Sequence, residues 1–305
     1  MNAITKKLIE SVAQITSQFQ GAYYLRENGV CQVNQSTKHI HIIEKKDKPG
    51  LDIIVDDHTK GESVCLPAIV NTGGIDDVVY NDFHIGKDCD VTILSGCGVH
   101  TDDACNAEHD GIHTFVVDEG SSVKYIEKHL GSGLGLGHKV IHPKMEITLK
   151  EGSSLEIHAT QIRGVDESNR YTHAVLEKNA KLLVQERLYT DGCQKTTSTV
   201  TVELNGDGSS ADLISRSVAK DHSYQTYDGT IIGNAECHGH VECDSLLDGD
   251  AIVDSSPRLF ARNKEASLIH EAAIGKIAQD QILKLETLGL TQQQAENEII
   301  EGFLA

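Results

Sequence analysis

The sequence predicts an all-β core wound as a β-helix, with short helical segments at its N- and C-terminal ends. Three observations lead there. A turn–strand unit returns about every 30 residues, apolar residues alternate with period two inside each unit, and helical periodicity is confined to the two ends.

At the start, Ile4, Leu8, Val12, Ile15 and Phe19 recur at spacings of three and four, the stripe of an amphipathic helix near residues 3–19. Further on, one pattern keeps returning: DCDVTI from Asp88, GSSVKY from Gly120, GSSLEI from Gly152, NAKLLV from Asn179 and GSSADL from Gly208, with looser copies NAECHG from Asn234 and NKEASL from Asn263. Successive anchors stand 32, 32, 27, 29, 26 and 29 residues apart. A residue that tolerates positive φ, followed by a period-two strand, is a turn–strand unit. Such units bury their apolar faces by stacking on one another, which favours a solenoid over the competing architecture, a β-sandwich of irregular hairpins.

At the far end, Ile274, Ile277, Ile282, Leu285 and Leu288 follow helical spacing as far as Gly289, a natural stop. Thr291 with Gln294 reads as a capping box, and Ala295, Ile299 and Phe303 line one face of a last helix. The chain therefore divides into an N-terminal helical segment (1–25), a β-helix core (26–273) and a C-terminal helical segment (274–305). The exposed edges of a solenoid need covering, and helical ends can supply the cover.

Composition excludes several classes. Forty-six acidic against 27 basic side chains give a formal net charge of −19, which repels phosphate backbones and argues against a nucleic-acid partner. No stretch approaches the roughly 18–20 apolar residues of a membrane span. The apolar run after Lys6 and Lys7 breaks at Glu10, too early for a secretory signal. The expectation is a soluble, cytoplasmic protein whose eight cysteines are free thiols, most of them small buried residues. No phosphate-binding GxxxxGK[ST] motif is present, and the Gly131–Gly137 stretch (GSGLGLG) opens no helix, so an energy-driven step must come from a partner.

Three clusters carry chemistry. Cys97, His100, Cys105, His109 and His113 have the residue types of a zinc or iron–sulfur centre, although Asp110 and Gly111 point to a loop or turn there. A polar loop with buried cysteines is the other reading. In Cys237-His-Gly-His-Val-Glu-Cys243, the two cysteines share one face of a strand but lie roughly 20 Å apart, while His238 and His240 point the other way. The third is Ser267-Leu-Ile-His270-Glu271-Ala272. Cys243 lies nine residues beyond Asn234, and His270 and Glu271 lie seven and eight beyond Asn263, so stacked coils about 4.8 Å apart bring the cysteine near the pair. Parity favours His270 as its neighbour; a one-residue bulge would favour Glu271. At the same offset of nine, earlier units give Cys97 and His129, a column of soft and polar groups. The site candidates are Cys243, His270 and Glu271, with Cys97, His129 and Cys237 as secondary metal candidates.

Cys243-Asp-Ser-Leu-Leu-Asp-Gly249, His270-Glu271-Ala272, Asp280-Gln281-Ile282, Gly289-Leu290, Ala295 and Gly302-Phe303, in this fixed order, resemble the C-terminal signature of the SufB/SufD family. These are scaffold subunits of the SUF iron–sulfur assembly machinery. Weaker similarity runs back through Tyr125-Ile126-Glu127 and the strand units. The resemblance implies a right-handed parallel β-helix whose C-terminal helices dock a SufC-type ABC ATPase. It also implies a transient iron–sulfur cluster at the interface of two scaffold subunits. Cys243 matches the functional SufB cysteine, Glu271 the SufB glutamate, and His270 a functional SufD histidine. Sulfur would arrive by a cysteine desulfurase route, and apo-proteins would take the product.

There are departures. The large N-terminal segment and cysteine motif of SufB are absent, the internal sulfur-receiving cysteine of SufB falls near Leu176, and His129 stands where SufB has a cysteine. The protein expected is a short scaffold acting as a homodimer, and not an enzyme. The alternative is a regulatory or repair partner that binds the ATPase and holds no cluster. A β-helix polysaccharide lyase would need a groove of paired acids and bases, which one His-Glu pair does not make.

Overall fold

Each repeated unit folds as a tight turn followed by a strand whose alternate side chains point inward. The left-handed backbone that starts the unit is taken by Asp88 (φ 52°), Gly120 (69°), Gly152 (68°), Asn179 (56°) and Gly208 (74°). In the following strand Ser122–Ser132, Val123, Tyr125, Glu127 and His129 are buried and the intervening positions are not. A computed structural model describes residues 3–13 and 19–305, and in it these units stack into a parallel β-helix of about 8 turns with three short helices near the ends. Ile15 lies outside the described residues.

Two sheets face one another across the core. One, here the front sheet, runs from Val30–Gln35 and Ala22–Glu27 through Lys60–Val70, Asp90–His100, Ser122–Ser132, Ser154–Ile162, Lys181–Thr190, Ser210–Ala219 and His238–Leu247 to Ser267–Lys276. The other, the back sheet, runs from Ile40–Glu44 through Gly50–Val55, Ile75–Ile85, Ala107–Val117, Lys139–Ile141 with Lys144–Leu149, Glu167–Leu176 and Lys195–Leu204 to Tyr224–Gly233, and ends on Ile252–Ser255 and Arg258–Ala261. The pairings are parallel except for two antiparallel ones at the N-terminal end. Between the sheets, Phe83 stacks on Phe115 at 4.2 Å and Tyr125 meets Phe115 edge-on at 5.2 Å.

In the front sheet Asp90, Ser122, Ser154, Lys181, Ser210, His238 and Ser267 stand in register, steps of 32, 32, 27, 29, 28 and 29 residues. Five of the six intervals equal those read from the anchors. The exception corrects the fifth, from 26 to 28, because Asn234 does not make the left-handed turn; Glu236 occupies the equivalent place, and its carbonyl accepts from Gly208 N.

The ends are closed differently. Helix α1 (Ala3–Ala13) lies on the outer face of the front sheet, where Leu8, Ile9 and Val12 pack on Leu25, Cys65 and Ile69. Gly96 and Gly98 make that approach possible, since a Cβ on either would meet Val12 Cβ at 2.8 Å or Leu8 Cβ at 3.2 Å. Helices α2 (Gln279–Thr287) and α3 (Gln292–Leu304) follow the last strand. The capping box of Thr291 and Gln294 forms, and Gly289 takes φ 99°. Two details differ from the sequence pattern. Ile274 belongs to strand Ser267–Lys276, because ladder pairing with His238–Leu247 runs on to Lys276 and delays the helix to Gln279. The buried stripe of α3 is Ala295, Ile300 and Leu304, with Ile300 and Leu304 against Tyr189 and Val218. Among the described residues no helix is long and apolar enough to cross a membrane.

Gly96→Val places methyl groups where Val12 already packs. The expected outcome is a loss of roughly 1–3 kcal/mol in denaturant unfolding, with hydrogen exchange rising first in residues 3–13.

Candidate functional site

The candidate residues fall into two regions, the open C-terminal end and the interior of the helix. At the end, Ser267–Lys276 is the last strand of the front sheet, and nearly every one of its residues is exposed. The back sheet has already ended on Ile252–Ser255 and Arg258–Ala261, so among the described residues no further coil covers the inner side of this strand beyond Leu268. His270 pairs with Val241, Glu271 with Glu242, and Ala272 with Cys243. His270 thus shares the inward side with Cys243, two residues along the neighbouring strand, while Glu271 lies on the outward side.

Cys243 itself is only 2% exposed. Burial pushes its thiol up to about 11, and the Ser255 hydroxyl acts the other way. Cys237 sits fully buried in the turn before the strand, against Gly233 and Ala266, apart from Cys243. His238 and His240 face outward, and His240 reaches Asp212 at 3.7 Å.

The column inferred from the repeat is half right. Cys97 and His129 pair directly. Continuing along the sheet, their column holds Gln161, Leu188, Ser217 and Ser245. Cys243 belongs to the adjacent inward column of Ser95, Glu127, Ala159, Glu186 and Ser215. The two-residue shift is the consequence of the missing turn at Asn234.

The interior around Cys97 is polar to a degree that apolar patterning did not foretell. His109 and His113 lie on strand Ala107–Val117 and not in a loop, and both point inward. Cys97 and His109 line one cavity, where the imidazole draws the thiol's pKa down. The His109 Nδ1 is 3.2 Å from Asp77 Oδ2, and Arg26 clasps Asp77 at 2.7 Å. The other imidazole that acts on the thiol is His129, whose Nε2 lies 3.3 Å from Glu127 Oε1 without a well-aligned hydrogen bond. Arg170, buried, reaches Glu127 at 2.7 Å and Glu186 at 3.1 Å, and Ser198 donates to Glu186. A cavity of about 20 Å³ adjoins Cys97, lined in part by Arg26, Asn81, Ser95, His109 and His113.

These contacts set the charges. Burial alone would raise the Cys97 thiol, but the flanking imidazoles bring it down to about 6. Burial disfavours a charged His109, and Cys97 with Asp77 overcome it, raising the ring to about 10. For His129 burial is likewise outweighed, by Glu127 and Cys97, and the ring rises to about 9. Burial would also raise Asp77 and Glu127, but their partners hold Asp77 near 2 and Glu127 well below the usual carboxylate range. Glu186 stays raised because burial dominates. Cys97, His109 and His129 form a buried group of interacting charges rather than a converged ligand set. Among the described residues, the one trio of candidate donors within 4.8 Å of one another is Asp76, Glu108 and Asp110.

Sequence reasoning passed over Arg26, Asp77, Arg170 and Glu186 as site residues. A usable signal existed: charged residues fall on the inward parity of strands, as Glu127 does after Val123 and Tyr125.

The family described as "SUF system FeS cluster assembly, SufBD core domain" matches residues 80–303. Among curated proteins, the chain is similar to iron-sulfur cluster assembly SufBD family proteins of three archaea. It is 27% identical to that of Methanothermobacter thermautotrophicus, over 72% of this chain and 53% of the relative. With that of Archaeoglobus fulgidus the identity is 30%, over 74% and 60%. With one from Pyrococcus horikoshii it is 30%, over 76% and 69%. The matches thus cover little more than half of the first two relatives' lengths.

The Cys97–His109 pair makes a specific statement about stability against pH. The His109 pKa rises from 6.5 to about 10, so its contribution is complete below 6.5 and lost as pH climbs through 10. The Cys97 pKa falls from 9.0 to about 6, so its contribution is present above 9.0 and lost as pH drops through 6. Between 6.5 and 9.0 the two slopes cancel, because folded and unfolded pairs each hold one proton. The stability advantage of the wild type over the Cys97→Ser/His109→Gln double variant should be flat across that window and shrink on either side, by reversible unfolding under reducing conditions.

Proposed function

This chain belongs to the SufBD family of the SUF iron–sulfur cluster assembly system, and we propose that it is a scaffold on which a nascent cluster is assembled or passed on. It works with a SufC-type ABC ATPase as a homodimer in the cytoplasm. The observation that carries the reading is the open C-terminal end. Cys243 lies one strand in from a terminal strand whose outer edge, and inner side beyond Leu268, are uncovered, and that strand bears His270 and Glu271. An unpaired edge with exposed Ile269 and Ile274 calls for a partner, and a second copy would place two such ends together. Leu283 and Leu288 stand exposed on and just after α2, a surface for the ATPase.

The chemistry follows from the donors. A thiolate is the soft ligand that iron and sulfide favour, and an imidazole and a carboxylate beside it supply weaker ligands or carry protons. Mixed ligation holds a cluster less firmly than four thiolates, which suits a product that must leave. Sulfur from a cysteine desulfurase route and apo-protein acceptors complete the scheme. Because Cys243 is closed off and its thiol is raised, ATPase-driven opening of the last strand would both expose and deprotonate it. The same burial favours the second reading, a regulatory or repair partner of the ATPase that holds no cluster.

Anaerobic reconstitution with iron, sulfide and the ATPase separates the two. Cys243→Ser and Glu271→Ala, each checked for folding, should lower cluster formation at least tenfold by visible absorption. Wild-type rates in both variants would exclude this site. Separately, Ile274→Lys puts a charge on the exposed edge strand and should shift the protein towards monomer in sedimentation velocity; an unchanged dimer would place the interface elsewhere.

A further inference from the structure

We propose that Cys97, His109 and Asp77 form an enclosed nucleophilic triad that reacts with small molecules of two heavy atoms joined by a weak chalcogen–chalcogen bond, hydrogen disulfide or hydrogen peroxide. The proposal stands apart from the assembly reading, since it uses neither Cys243 nor the open end.

The geometry has the parts of an activated cysteine. A thiol and an imidazole line one cavity, and Nδ1 of that imidazole is 3.2 Å from a carboxylate. The carboxylate is fixed in turn by Arg26, which donates to both of its oxygens. This chain of contacts is the nucleophile–base–orienting-group arrangement that holds a thiolate ready for attack. The three residues come from the front sheet (Cys97) and from adjacent back-sheet strands (Asp77 and His109), which pair with each other in register. A second imidazole, His129, also acts on the thiol, and its buried Nε2, 3.3 Å from Glu127 Oε1, makes no well-aligned hydrogen bond. That orphan is the feature a purely structural ion-pair network would not need: it can donate to whatever extends from Cys97.

The surroundings choose the substrate. Cys97 is 5% exposed, so a protein or peptide donor cannot reach it. The adjoining cavity of about 20 Å³ exceeds the roughly 10–15 Å³ that one water needs, but not by much. It therefore suits small solutes over bulky thiols and disulfides. Asn81, Ser95 and Arg26 line it with polar groups.

The step balances without an added reductant. In H–X–X–H, with X sulfur or oxygen, the Cys97 thiolate attacks one X, an S–X bond forms, and the X–X bond breaks. Its electron pair leaves with the departing X as HX⁻, which takes the proton of the His109 imidazolium and departs as H₂X. Cys97 is left as the persulfide or the sulfenic acid, and neutral His109 accepts the proton of that S–X–H group.

The test uses the whole protein with no iron and no ATPase, so that its failure leaves the assembly reading untouched. The exposed Cys105 and Cys193 are first blocked with a bulky maleimide, and the folded protein is then exposed to hydrogen peroxide in one arm and sodium disulfide in the other. Peptide mass mapping reads which thiol gains one atom. Cys97 should gain oxygen, sulfur or both at least tenfold faster than Cys65, which is equally enclosed but has no imidazole beside it and is pushed up to about 12. The Cys97 rate should also vary little between pH 6.5 and 9.0, where an ordinary thiol gains about tenfold per unit below its pKa. His109→Gln should slow Cys97 at least tenfold and restore the steep rise with pH. A wild-type Cys97 no faster than Cys65 in both arms, or one whose rate climbs with pH like a free thiol, overturns the triad. Maleimide labelling of Cys97 as fast as of Cys105 overturns the enclosure.

Discussion

In-register stacking is the constraint on which the rest of this protein depends. Once successive coils lie about 4.8 Å apart, each inward side chain has the equivalent residue of the next coil as its nearest neighbour. Apolar positions then build continuous files, such as Phe83 on Phe115, and the core needs no thick aromatic layer. Polar inward positions have no freedom either. They must find partners within their own or a facing column, and this draws Cys97, His129, Glu127, Arg170 and Glu186 into one network.

Such a network is costly to keep. Taking charges out of water costs several kcal/mol per ion, and the return depends on close geometry and full pairing. Here Arg170 serves two carboxylates, Arg26 holds Asp77, and burial pushes the Glu186 carboxyl above its usual range. A β-helix needing only stability would fill these places with valine or leucine, as it does nearby at Val99 and Leu188. The lone nitrogen of His129 and the free oxygen of Glu186 mark where the network is incomplete.

The two ends show how the same solenoid is finished in opposite ways. At the N-terminal end antiparallel strands turn the sheets back on themselves, and α1 seals the outer face over Gly96 and Gly98. At the C-terminal end the back sheet stops first, leaving strand Ser267–Lys276 largely without cover, while α3 packs on Tyr189 and Val218. Cys243, His270 and Glu271 lie at the bare end.

Much of this was legible in the residues. Turn residues that accept positive φ, followed by period-two strands, determined the coil and nearly every interval, because φ preference and side-chain alternation are local properties. The capping box at Thr291 was legible for the same reason. Which coil position faces which was not. Asn234 resembles the other anchors but adopts no left-handed turn, and that moved Cys243 by two residues into the column of Glu127 and Glu186. Strand pairing carried Ile274 into the sheet against its helical spacing. Cys97 and His109 were grouped by their nearness in the chain, but Asp77 was beyond reach, because it comes from another coil. Proximity across the core is set by how two sheets face one another, and only the tertiary structure decides that.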